Sequence, residues 1–133
     1  MKILLPLFVL IPRKTKESKK VILNLNVYRN LHHITNNQAK VIYKEIIKLS
    51  LPGNQHLLSC PPYQFTYVLY QQSKRHTDIS NILSIVDKFT CDALVELGHL
   101  ADDNYKFISE VVYKYGGVDK ENPRAELFIQ SKG

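Results

Sequence analysis

Residues 63–70 (YQFTYVLY), residues 80–97 (SNILSIVDKFTCDALVEL) and residues 107–115 (FISEVVYKY) follow one another and decide the fold. The first stretch is aromatic, β-branched and alternating, the pattern of a strand. In the second, Ile82, Ile85, Val86, Phe89, Ala93, Leu94 and Leu97 recur at helical spacing, and Gly98 stands where a helix-ending glycine belongs. The third alternates into another strand, which Gly116-Gly117 would turn. Upstream, Ala39, Val41, Ile42, Ile46, Ile47 and Leu49 predict an amphipathic helix over about 36–49, capped by Thr35 or Asn36 and stopped by Pro52-Gly53. Residues 2–11 read as a buried strand, with Pro6 at an edge or a bulge. Residues 12–20 read as a basic loop, 21–26 as a short strand, 26–33 as a loop and 124–130 as a last strand. The predicted order is β-β-α-β-α-β-β: one α/β or α+β domain, a mixed sheet packed with two main helices.

The length, 133 residues, suits a single domain. Five Phe and eight Tyr supply a core that a disordered chain lacks. Cys60 and Cys91 show no metal-ligand spacing and read as free thiols in a reducing compartment, so the expected location is cytoplasmic. Met1-Lys2 and the apolar run from Ile3 to Ile11 are similar to a short leader. No small-residue cleavage site follows, and the run falls short of the ~20 apolar residues that span a bilayer. No membrane association is expected. The histidines His32, His33, His56 and His99 read as surface or packing residues.

Charge points to a partner. Residues 1–50 carry ten basic and two acidic groups, a net of +8, whereas residues 51–133 carry eight basic and ten acidic, a net of −2. A basic half of this kind suits a polyanion. Arg13, Lys14, Lys16, Lys19, Lys20, Arg29, Lys74 and Arg75 are the expected DNA contacts. The acids gather elsewhere: Asp78, Asp87, Asp92, Asp102 and Asp103 fall between positions 78 and 103. A strand end, a helix start and the following loop would bring them to one cleft edge. Clustered carboxylates need a cation, and an all-oxygen set favours Mg²⁺ or Mn²⁺. An acidic metal site with a basic rim suits a metal-dependent nuclease. The plain structural readings stand beside this one. Asp78 or Ser80 caps the helix, Asp87 and Asp92 are solvated, Lys88 and Asp92 form an i,i+4 pair, and Asp102-Asp103-Asn104 is turn chemistry.

The elements Asp78-Ile79-Ser80-Asn81, Asp87-Lys88, Cys91-Asp92-Ala93-Leu94, Leu97-Gly98 and Asp102-Asp103, in that order, resemble the RusA family of Holliday junction resolvases. That family shows a D-x-D-N start, a helix Lys, a D-A-L element, a Gly and a D-D pair. The match covers about residues 76–104 and extends weakly to the loop Asn26-Val27-Tyr28-Arg29. The resemblance implies a homodimer that cuts four-way DNA junctions with Mg²⁺. Asp78 then matches the first metal-binding Asp, Lys88 the helix Lys and Asp103 the last catalytic Asp, with Asp87 and Asp102 as further candidates. Two departures are visible. Ser80 replaces the second Asp, and the stretch from Asn81 to Asp92 is longer by four residues. Asp87 would replace the missing acid only if the helix starts nearer Asn81–Ser84 or the chain folds back, because nine helical residues rise ~13 Å. The alternative is a non-catalytic module for junctions or single strands, with Tyr28 stacking on bases.

Overall fold

In a computed structural model that describes residues 1–53 and 56–133, the chain forms six strands and three helices around one apolar core. The strands are β1 (Lys2–Leu5), β2 (Phe8–Ile11), β3 (Lys19–Ile22), β4 (Tyr63–Gln71), β5 (Ile108–Val118) and β6 (Arg124–Ser131). The helices are α1 (Leu25–Asn30), α2 (His33–Ser50) and α3 (Ile79–Glu96). The main sheet has the order β1-β6-β4-β5, with β4 and β5 parallel and the other pairs antiparallel. It is the mixed sheet that the sequence predicts. Tyr63, Phe65, Tyr67 and Leu69 alternate inward from β4 and are all buried under α3.

The segment 2–11 is two strands rather than one. Pro6 has no N–H to give a ladder, and the chain breaks there. β1 then joins the edge of the main sheet, while β2 pairs with β3 in a separate hairpin. The strand expected over 21–26 is therefore Lys19–Ile22, and the basic loop is the turn of this hairpin. The loop expected over 26–33 contains α1. Asn24 Oδ1 accepts from Val27 N at 2.8 Å and caps it. The start of α2 is also earlier than Thr35 or Asn36: His32 Nδ1 accepts from Ile34 N at 3.2 Å. Gly116-Gly117 does not turn the chain. β5 runs on to Val118, and the β4 register shifts there. A Cβ on Gly116 would meet the Tyr70 ring at 2.7 Å, and Gly117 has φ +126°. Glycine is needed for close approach and for a backbone that L residues avoid.

The helices are tied to each other by polar as well as apolar contacts. Tyr43 of α2 and Thr90 of α3 share a hydrogen bond of 2.7 Å inside the core. Lys40 pairs with Asp92 at 3.4 Å and Lys44 with Glu96 at 3.2 Å. Asp92 thus answers Lys40 and not Lys88. Tyr28 of α1, half-buried, packs edge-on against Phe89 of α3, ring centroids 6.2 Å apart. No helix among the described residues is long and apolar enough to cross a membrane.

Candidate functional site

β4, α3 and β5 form a strand–helix–strand crossover, and this fixes where the candidate residues lie. β4 ends at Gln71. The side-chain amide of Gln71 donates to the carbonyls of Ser73 and Arg75, both at 2.7 Å, and so shapes the connection that leads into α3. A hollow of about 350 Å³ opens here, lined by Gln71, Lys74, Arg75, His76 and Tyr115 among others. An adjoining hollow of about 260 Å³ includes Arg75, Thr77 and, from the hairpin, Phe8 and Lys20. Lys20 lies 4.4 Å over the Phe8 ring. The carboxyl edge of β4 and one side of the hairpin therefore form a basic ledge. Arg13, Lys14, Lys16 and Lys19 continue it along the exposed hairpin, whose turn is closed by Arg13 Nε donating to the Glu17 carbonyl at 2.8 Å. Arg29 is exposed at the last turn of α1.

Among the described residues, the salt bridges involve only Lys2, Lys40, Lys44 and Arg124. None of the eight cations expected to hold DNA is among them.

Asp78 stands at this same ledge. It is exposed and caps α3, its Oδ1 accepting from Ser80 N at 3.1 Å and from Ser80 Oγ at 2.8 Å. Ser80, which stands where the resembled family has its second Asp, thus serves the cap.

Asp87 has a different employment. The Tyr67 hydroxyl donates to its Oδ1 at 2.7 Å, the Tyr113 hydroxyl to its Oδ2 at 3.0 Å and the Cys91 thiol to Oδ1 at 3.2 Å. Burial, then the neighbouring Asp87 charge, pushes Tyr113 and Cys91 up from their ordinary values; Tyr67 is raised by burial, then by Cys91 and Asp87. The three groups remain protonated and keep donating. The helix starts at Ile79, so the whole interval from Asp78 to Asp87 is helical and rises ~13 Å. Within one chain Asp87 cannot share an ion with Asp78. It is a pin between α3 and the sheet, and Lys88 beside it is exposed on the helix surface.

Asp102 and Asp103 lie past the other end of α3, before β5. Asp102 accepts from Asp103 N at 2.7 Å and from Asn104 Nδ2 at 2.9 Å, so turn chemistry is present. Partial burial, then its hydrogen bond with Asp102, raises the Asp103 carboxyl above its ordinary value, and Asp92 adds to this. The 18-residue α3, ~27 Å long, lies between Asp78 and the Asp102–Asp103 turn. The acids do not converge on one cleft edge, because a full-length helix separates them. Among the described residues no three His, Cys, Asp or Glu side chains come together to hold a metal ion. The residues of one chain do not fit a Mg²⁺ or Mn²⁺ centre built from Asp78, Asp87, Asp102 and Asp103.

Sequence reasoning missed the partners of Asp87. The inward alternation of β4 does place Tyr67 under α3, but nothing in periodicity says which acid it meets. No protein-family model matches the chain, and no curated protein is significantly similar to it in sequence.

Proposed function

We propose that this protein binds branched DNA, gripping its phosphates along the ledge formed by the hairpin and the carboxyl edge of β4. The observation that carries this reading is that Lys20, Lys74 and Arg75 share adjoining hollows while making no ion pair within the described fold. Unpaired cations on one surface are suited to neutralising a phosphate backbone. The resemblance to RusA resolvases names the four-way junction as the DNA to try first.

A second reading is metal-dependent cutting by a homodimer, favoured by the position of Asp78 beside the ledge. It needs two copies. β5 is an edge strand of 11 residues that exposes Val111 and Tyr115. Pairing two such edges antiparallel lays the Asp102–Asp103 turn of one copy toward the Asp78 end of the other. The two-residue side-chain period permits only registers that keep each face matched. The register centred on Val112 sets Glu110 of each copy opposite Lys114 of the other, a favourable cross-strand pair. A metal centre spanning two chains is the form in which the resemblance and the separation of the acids agree.

The deciding experiment is a gel assay on a synthetic four-way junction, with and without Mg²⁺. Retarded bands that compete poorly with linear duplex support branched-DNA binding, and equal affinity for both DNAs would sink it. Paired nicks with Mg²⁺ support the second reading. If they occur, a mixture of Asp78→Asn and Asp103→Asn copies should cut where neither does alone, because one composite site in the mixed dimer keeps both acids.

A further inference from the structure

The connection between α2 and β4 runs along the C-terminal end of α3 and is stitched to it by the backbone. His56 N donates to the Gly98 carbonyl at 3.0 Å, and Leu58 N donates to the His99 carbonyl at 3.1 Å. The two histidines, distant in sequence, are thereby brought to one cavity of about 390 Å³, which Ser59, Pro61 and Phe107 also line. His99 is only 6% exposed, and among the described residues its Nδ1 is buried with no hydrogen-bond partner. A buried ring nitrogen without a partner is costly unless something supplies one. His56 holds φ +65°, a left-handed state that histidine, like asparagine, adopts more readily than most residues.

We propose that His56 and His99 are the two protein ligands of a divalent transition-metal site of the zinc class, which clips the α2–β4 connection to the end of α3. Imidazole nitrogens suit Zn²⁺, Co²⁺, Ni²⁺ and Cu²⁺ and do not suit Mg²⁺. The ligands must be neutral to bind. Two ligands leave positions open to water, so the site is weaker than a closed four-ligand centre. Nothing in this proposal depends on the DNA-binding reading, and the acids at 78–103 take no part.

The test is thermal unfolding of the full chain with ZnCl₂, with MgCl₂ and with a chelator, supported by visible absorption of the Co²⁺-loaded protein. With Zn²⁺ near 100-fold above its dissociation constant, the melting temperature should rise by roughly 10 °C. Mg²⁺ should give no rise. His56→Asn should lose the rise; Asn tolerates the left-handed backbone, and His56 is exposed, so the variant should fold. His99→Gln should lose it too, while His33→Asn should keep it. Absence of any Zn²⁺ shift in the wild type, or a full shift in His56→Asn, would overturn the proposal. Should His99→Gln fail to fold, His56→Asn alone decides.

Discussion

Replacing Tyr67 by Phe tests whether Asp87 is a structural pin. Tyr67 is fully buried, and its hydroxyl donates to the Asp87 carboxylate at 2.7 Å. The substitution removes one oxygen, keeps the ring between Phe65 and Tyr113, and opens no large cavity. A hydrogen bond to a charged acceptor contributes ~1.5–3 kcal/mol. Asp87 keeps two donors, Tyr113 and Cys91, so the lower part of that range applies, about 1.5–2 kcal/mol. Tyr113→Phe should cost less, about 1 kcal/mol, since its hydroxyl is longer-bonded at 3.0 Å and half-buried. Asp87→Ala should cost more than either, because buried hydroxyls lose their acceptor. The double variant Tyr67→Phe with Asp87→Ala should be milder than the sum of the singles, leaving a coupling of ~1–2 kcal/mol. Urea unfolding measures these four variants and Asp87→Asn against the wild type, and the slope against denaturant should stay constant across them. A metal-ligand role predicts the reverse pattern: Asp87→Asn would stabilise the metal-free protein, and Tyr67→Phe would be near neutral. Either result would refute the pin.

Three further outcomes follow from other sites. Replacing Lys14, Lys16, Lys19 and Lys20 together by Ala should flatten the slope of log affinity for a four-way junction against log salt by up to ~4 units; an unchanged slope in a filter-binding titration removes the hairpin from the DNA surface. Asp103→Asn should stabilise the protein slightly at pH 7, by under about 0.5 kcal/mol. The folded chain holds the Asp103 proton above the ordinary carboxylate value, so wild-type stability falls as pH rises through that interval. The benefit of Asn should therefore vanish in melts at pH 3, and a benefit that persists there contradicts the cause. Gly116→Ala should destabilise by ~1–3 kcal/mol, because the added Cβ meets Tyr70 and Val68 atoms at 2.7 Å; a neutral result by thermal unfolding would mean that the Tyr70 ring swings aside freely.

The crossover of β4, α3 and β5 was legible because each element carries its own period and each is long enough to show it. The mixed sheet followed from the number and order of strands. What escaped was set by tertiary placement. Nothing local distinguishes a strand over 2–11 from two strands in different sheets, although Pro6 marked the place. Helix α1 has only six residues, too few for periodicity, and rests on the Asn24 cap and on packing against α3. Gly116-Gly117 reads as a turn in any local window, yet serves a bulge under Tyr70. Of the candidate site, the basic residues were legible by composition. The separation of the acids was implicit in the helix predicted over 80–97, which Asp78 precedes and Asp102-Asp103 follow; what local sequence could not show is that Asp87 is taken up by Tyr67, Tyr113 and Cys91.

The position of β6 has a consequence for how the chain acquires its shape. β6 is an interior strand, flanked by β1 and β4, yet it is made of residues 124–131. β1 pairs with nothing else in the main sheet. On a ribosome moving at ~5–20 residues per second, residues 2–5 wait roughly 6–25 s before their partner exists. β4, α3 and β5 are all made only ~13 residues, about 0.7–2.6 s, before β6 is complete, and until then Phe65, Tyr67 and Leu69 lack the neighbours that β6 supplies. Closure by a strand of high sequence separation is slow relative to local pairing. The nascent chain therefore exposes a groove of the width of one strand, between β1 and β4, until the last element slots in. A factor that holds extended apolar segments would find its target there, and removal of the final strand would leave the sheet split rather than merely shortened.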